Sequence, residues 1–350
     1  MVRRVAFAVP GDLATPTGGY SYDRRIIHEL ERLGWRVEVL NLGTGFPFPN
    51  DEQRQAAAAR LKAVLPGCPI LIDGLAYGVL PEAAAQLSRE HALVAVVHHP
   101  LAMESGLSQA AAFGLRASER AALAVARHVV ANSRATARML AADYNVPMER
   151  ITVAVPGTDS APPAHGSSDG MVHLLSVGAV VPRKGFDVLI AALATVAELS
   201  WHLTIAGDRT HDADCAARLD ADIARLGLVE RVTVLGAVSQ ERLSGLYAGA
   251  DIFALPSRFE GYGMAFSEAI AHGLPVIGTT TAAIQETIPS GTCALVAPDD
   301  PVALAVVLRR LIESPNDRRR MAATARTAAQ ALPRWEDSAK LIAGVLERVL

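Results

Sequence analysis

Short runs of apolar residues alternate along this chain with longer stretches whose apolar positions recur every three or four residues. The runs in the first half are Val5–Val9, Val37–Leu42, Ile70–Asp73, Leu93–Val97, Val129–Ala131 and Ile151–Val155. Between them Tyr22–Leu33, Asp51–Leu65 and Leu115–Arg127 carry helical spacing. Ile26, Ile27, Leu30 and Leu33 share one face of the first helix, and Gly34 stands where it would end. Wholly apolar strands separated by helices predict a parallel sheet covered on both faces.

The alternation breaks at Asp159–Gly170, a stretch of Ser, Pro, Ala and Gly without apolar periodicity. It restarts with His173–Val177, Leu203–Ala206, Val232–Leu235, Ile252–Leu255, Val276–Gly278 and Ala294–Val296. Helical stretches close the chain at Asp300–Ala331, broken at Pro315, and at Trp335–Leu350. The pattern predicts an α/β protein of two Rossmann-like, doubly wound domains, residues 1–160 and 161–334, facing a cleft with the linker as hinge. In such sheets a ligand sits at the carboxyl ends of the strands.

Composition narrows the function more than the fold. Of 350 residues 51% are apolar and 20% charged, as in a soluble globular protein. A formal net charge of −3 gives no reason to expect a nucleic-acid partner. Cys68, Cys215 and Cys293 stand singly among apolar neighbours, which reads as buried free thiols and not as a zinc site. The apolar run after Arg3-Arg4 is too short for a signal peptide, and no stretch approaches a membrane span, so the expected location is cytoplasmic. Arg116, Arg120, Arg127, Arg134 and Arg138 recur through two helical segments. No exposed aromatic is expected beside them, so they read as a solvated face, with peripheral contact at the inner face of a membrane as the most they would support.

The chemistry concentrates after three strands. Glu260-Gly-Tyr-Gly-Met-Ala-Phe-Ser-Glu268 follows Ile252–Leu255 as a glycine-bearing turn leading into a helix. Free amides and the positive helix end there suit an anion, and two carboxylates suit sugar or ribose hydroxyls. Arg183 and Lys184, in the loop Ser176–Gly185, offer cations to a diphosphate or form a solvated basic turn. Gly18-Gly19 reads as a loop that lets a ligand approach the backbone, or as an ordinary turn. His98 directly follows a strand and suits a sugar hydroxyl, or merely caps the sheet; its place ahead of His99 favours it.

At this point the chain resembles the retaining glycosyltransferases of family GT4, which have the GT-B fold. The resemblance rests on Gly18-Gly19, on Val177-Gly178 with Arg183-Lys184-Gly185, on Ala206-Gly207-Asp208, and on Pro256-Ser257 with Glu260-Gly-Tyr-Gly263 and Glu268. Val155–Asp159 and the helix after Trp335 extend it to almost the whole chain. It implies that residues 335–350 cross back onto the first, acceptor-side domain, and that residues 161–334 bind a nucleotide-sugar. It implies that Glu268 binds the ribose and Glu260 the sugar ring, and that Gly261, Tyr262, Gly263, Met264 and Ala265 supply the amide-bearing turn for diphosphate or sugar. Arg183 and Lys184 would neutralise the leaving diphosphate, Gly18 and Gly19 would approach it, and His98 would line the sugar and acceptor side. His98, Glu260 and Lys184 are thus the expected catalytic residues.

The family works without a bound metal, and neither an Asp-x-Asp motif nor a cluster of metal ligands is legible here. No cofactor is expected, the nucleotide-sugar being a substrate. The implied reaction moves a hexosyl group, with retention, from a UDP- or GDP-sugar to an acceptor hydroxyl on a lipid or glycan intermediate. One departure stands out: Ala179 occupies the place where the family commonly has an arginine, a gap that Arg183 is expected to fill. The rival readings are a non-catalytic nucleotide-sugar-binding protein and another GT-B enzyme such as an epimerase. A dehydrogenase fits poorly, because neither glycine loop has Gly-x-Gly-x-x-Gly spacing.

Overall fold

A computed structural model describes residues 3–350. The chain forms two compact units: one runs to Gly157 and also takes Pro333–Leu350, the other is Thr158–Leu332.

The first unit is built on six parallel strands, β1 (Arg4–Val9), β2 (Arg36–Asn41), β3 (Ile70–Asp73), β4 (Leu93–Val97), β5 (His128–Ala131) and β6 (Ile151–Val153). Their order is β2-β1-β3-β4-β5-β6, with Ala6 paired to Glu38 on one side and Ile70 on the other. The inner strands β3 and β4 are buried along their whole length, while the edge strand β2 is largely exposed. That contrast is why the inner strands read as continuous apolar runs. Around the sheet pack α1 (Gly18–Arg32), α2 (Asp51–Lys62), α3 (Gly74–Tyr77), α4 (Pro81–Leu87), α5 (Gln109–Val125) and α6 (Arg134–Tyr144).

The second unit repeats the plan with β7 (Val172–Val177), β8 (Trp201–Ala206), β9 (Val232–Val234), β10 (Ile252–Ala254), β11 (Val276–Thr279) and β12 (Cys293–Val296). These are again parallel, in the order β12-β11-β10-β7-β8-β9. Its helices are α7 (Phe186–Ala194), α8 (Ala213–Arg225), α9 (Gln240–Gly249), α10 (Met264–Ala271), α11 (Ala282–Thr287), α12 (Pro301–Glu313) and α13 (Pro315–Ala329). The chain then returns to the first unit as α14 (Trp335–Val349), which buries Trp335, Ile342, Val345 and Leu346. A Cβ on Gly157 would lie 2.1 Å from the Trp335 amide nitrogen, so only glycine fits beneath that helix start.

Three expectations need correction. Gly18 and Gly19 are not a loop; they form the first turn of α1, because Thr17 caps it by accepting the Tyr20 amide. α5 begins at Gln109 and not at Leu115, since Ser108 caps it by accepting the Ala111 amide. The earlier start draws Phe113 into the helix, where it is 77% exposed; the arginines of α5 therefore do have an exposed aromatic neighbour. The three cysteines are free, as expected, but only partly buried. No helix of the described residues is long and apolar enough to cross a membrane.

Candidate functional site

Each sheet has one point where the chain order reverses, and at such points strand ends leave room for a ligand. In the second unit this lies between β7 and β10. After β7 the chain makes a short 3₁₀ turn, Pro182–Lys184, and Gly185 caps α7 in the left-handed conformation at φ 69°. A Cβ there would fall 2.1 Å from the Pro256 carbonyl oxygen, so the loop after β7 lies directly on the loop after β10. The Arg258 amide donates to the Arg183 carbonyl at 2.8 Å. The Arg258 side chain grips Asp187 at 2.7 Å and Asp299 at 2.6 Å, which pins both loops.

This arrangement sets Lys184 against Glu260. Lys184 Nζ donates to Glu260 Oε1 at 2.7 Å, and Ser257 Oγ donates to the same oxygen at 2.7 Å. Burial alone would push the Glu260 carboxyl up, but Lys184 and then Arg183 outweigh it and hold Glu260 below the usual carboxylate range. Arg183 therefore contributes its field to this group. Gly261 and Tyr262 complete the turn, with Tyr262 buried. Gly263 caps α10 at φ 101°, and a Cβ on it would meet Ile284 Cδ1 at 2.6 Å. α10 has neither a side-chain cap nor an acid in its first turn, so the Met264 and Ala265 end keeps the positive potential of its free amides. Glu268, one turn along, accepts the Tyr247 hydroxyl at 2.9 Å. Burial raises its carboxyl to about 7, against the opposing pull of Tyr247.

In the first unit the reversal lies between β1 and β3, and side chains from three separate elements meet beside it. His98 Nε2, after β4, lies 3.3 Å from Asp23 Oδ1 of α1 and 3.6 Å from Asp73 Oδ2 at the end of β3. Asp23 is 0% exposed and Asp73 2%. The other side of Asp73 is tied down, Oδ1 accepting the Leu75 amide at 2.6 Å. Both Asp23 oxygens and His98 Nε2 are buried without a hydrogen-bond partner, so the contact is ionic and open to a further donor or acceptor. The imidazole is wedged in place. Tyr22 meets it edge-on at 5.2 Å, with Trp335 behind Tyr22 at 5.8 Å, and a Cβ on Gly19 would lie 3.2 Å from His98 Cδ2.

The electrostatics of this group are coupled. Burial disfavours a charged imidazole, but Asp23 and Asp73 overcome that and raise His98 to about 10. Burial, reinforced by Asp73, raises Asp23 to about 7. Asp73 is held below its ordinary value, burial being outweighed by His98. The result is an imidazolium held between two carboxyl groups, Asp73 kept ionised and Asp23 raised toward neutrality.

Asp23, Asp73 and His98 correct the expectation that no metal ligands cluster: their three donor atoms lie within 4.8 Å of one another. The three residues are far apart in sequence, and only the sheet order brings them together. An ion on this set would have to displace the His98 proton, which the same two carboxylates hold in place. His99 points to a different partner, Glu104, at 2.9 Å. Gly18 touches nothing within 4 Å of where a Cβ would stand, so the packing places no demand on it. Sequence reasoning missed Asp73, Ser257, Arg258 and Tyr247. Ser257 and Arg258 lie inside a quoted motif, whereas no local pattern marks the others.

With this geometry in hand, the comparisons are specific. The model of the glycosyl transferases group 1 family matches residues 158–328, and that of Glycosyltransferase Family 4 matches residues 70–161. The chain belongs to this GT4-type family and has the GT-B fold. Among relatives, the MMP alpha-(1->4)-mannosyltransferase of Mycolicibacterium hassiacum is 28% identical over 74% of this chain and 66% of its own length. The D-inositol 3-phosphate glycosyltransferase of Xylanimonas cellulosilytica is 30% identical over 63% of this chain and 57% of its own. The matches thus span between about half and two thirds of those proteins. Sucrose-phosphate synthase from Thermosynechococcus elongatus superimposes with a TM-score of 0.83 at 23% identity, covering 99% of each chain. An Anabaena protein solved with UDP and glucose does so at 0.76 and 21% identity, over 98% of this chain and all of that one.

Proposed function

We propose that the chain is a retaining, metal-independent hexosyltransferase that takes its donor, a UDP- or GDP-sugar, on the second unit. The observation that carries this reading is the Lys184–Glu260–Ser257 array set beside the uncapped start of α10 at the β7/β10 reversal. A diphosphate brings negative charge to a place already supplied with a lysine, an arginine and a helix N-terminus, which together take the role of charge sink for the leaving nucleotide. Glu260, ionised and aimed by two donors, accepts from sugar hydroxyls, and Glu268 accepts from the ribose. Two kinds of donor are represented nearby: one relative is named GDP-mannose-dependent, and the Anabaena structure holds UDP and glucose.

In the first unit the His98 imidazolium donates a hydrogen bond to an acceptor hydroxyl, while Asp23 accepts one. The acceptor is therefore polyhydroxylated, a polyol phosphate, lipid-linked glycan or glycan end. As the sugar gains oxocarbenium character, the acceptor hydroxyl attacks on the face the diphosphate leaves. Its proton passes to a phosphate oxygen.

The test is donor turnover by purified protein in EDTA. Selective consumption of one nucleotide-sugar, with Lys184→Ala slowed ten-fold or more for loss of a charged hydrogen bond of about 1.5–3 kcal/mol, is the expected result. Tight nucleotide-sugar binding without turnover would instead select the non-catalytic reading, which Ala179 favours because it removes a phosphate contact.

A further inference from the structure

The solvent-facing side of α5 carries one sign of charge. Phe113, Arg116, Ala117, Arg120, Ala121 and Ala124 are exposed, and the single acid of the helix, Glu119, is turned inward and 1% exposed. Glu119 instead accepts the Leu101 amide at 2.9 Å. Arg116 and Arg120 stand three and seven residues after Phe113, so one helical stripe bears an aromatic flanked by two cations. The other exposed positions from Ala110 onward are alanine and glycine, which leave the ridge low. Arg127, just beyond the helix end, is also exposed.

The stripe continues sideways. Pro47, Phe48 and Pro49 meet Ala111, Gly114 and Leu115 around a shallow cavity of about 300 Å³ rimmed by Arg54. Phe48 is 60% exposed. Asp51 and Glu52 are exposed where α2 begins, and Asp51 lies 3.9 Å from Arg54, so the acids stay at that border and off the α5 stripe. On a chain whose net charge is −3, four exposed arginines around two exposed phenylalanines form a local reversal of sign.

We propose that α5 and the 46–50 turn form a docking surface for an anionic phospholipid bilayer. The charge complementarity is to a plane of phosphates, because Arg116 and Arg120 on α5, Arg127 past its end and Arg54 on α2 are set out over separate elements and not gathered in one loop. The apolar component is two separate aromatic tips on a low ridge, suited to insertion at the headgroup boundary. Neither Phe113 nor the arginines belong to the groups assigned to catalysis, so docking and transfer are separable.

The experiment is co-sedimentation of the full chain with vesicles of phosphatidylglycerol or phosphatidylcholine, read as the fraction bound and independent of any sugar transfer. Wild type is expected to partition onto the anionic vesicles at least ten-fold more strongly than onto the zwitterionic ones, and to be released by 0.5 M salt. Arg116→Glu with Arg120→Glu should abolish that preference, and Phe113→Ser should weaken it several-fold, with the melting temperature unchanged because all three side chains are exposed. Equal, negligible binding to both vesicle types would overturn the proposal. So would anionic binding that survives all three substitutions, which would place the contact elsewhere.

Discussion

In the second unit Lys184 and Glu260 touch at 2.7 Å, and the carboxylate is fully ionised in the company of its lysine. In the first unit His98 stands 3.3 and 3.6 Å from two buried carboxylates, one of which is raised to about 7. The second group is closed: each charge already has its partner and a ligand must compete for them. The first is open, with both Asp23 oxygens and one imidazole nitrogen still unsatisfied. Burial drives both, yet it acts differently. Where one cation meets one anion, their attraction defeats desolvation; where one cation serves two anions, a proton is left to be shared.

The largest expected effect is on the closed pair. Lys184→Ala leaves a buried Glu260 without its cation and should cost on the order of 3–5 kcal/mol of stability. Adding Glu260→Ala should recover most of that loss while activity stays low, in a double-mutant cycle read by denaturant unfolding. Purely additive losses would mean that the two charges do not stabilise each other and that the contrast with the open group is mistaken.

Next in size is the open group. Replacing Asp23 by Asn removes the nearer carboxylate, so the His98 titration, followed by imidazole nitrogen NMR, should fall from about 10 toward the ordinary 6.5. Stability carries the same signature. Because folding raises the His98 pKa, its contribution is fully present below pH 6.5 and is lost as pH rises through about 10. His98→Asn should therefore make the fall in stability between pH 7 and 10 shallower. An unchanged slope would show that His98 is neutral in the folded chain.

A third titration checks whether unpaired burial behaves in the same way away from any site. Glu119, raised to about 8 by burial with one oxygen unpartnered, keeps its proton in the folded chain while the unfolded chain loses it above about 4.5. Stability should thus fall as pH rises from 4.5 to 8, and Glu119→Gln should remove that slope and be the more stable form at pH 8.

The smallest effect separates packing from ligand approach. Gly18→Ala meets no atom within 4 Å and lies in the first turn of α1, so it should change stability by no more than about 1 kcal/mol. A clear loss of donor affinity from the same substitution would show that a ligand comes close to that backbone. Unaltered affinity would leave Gly18 as simply the first residue of α1.

Much of this was legible in the residues. The twelve strands of the described residues fall where the apolar runs predicted, most plainly the inner ones such as β3 and β4, because parallel strands buried on both faces leave no polar positions to blur the signal. The second site was legible too, since Glu260, Gly263 and Glu268 lie in one turn-and-helix segment whose order dictates its geometry. Helix starts were less so: Thr17 and Ser108 move α1 and α5 forward by several residues through single side-chain caps, and with α5 went the exposure of Phe113. Only the tertiary structure made Asp23, Asp73 and His98 neighbours, because the order β2-β1-β3-β4 brings the ends of three strands and one helix to the same edge. Local periodicity records which face of an element is buried; it carries no information about which distant side chain, or which charge, shares that burial.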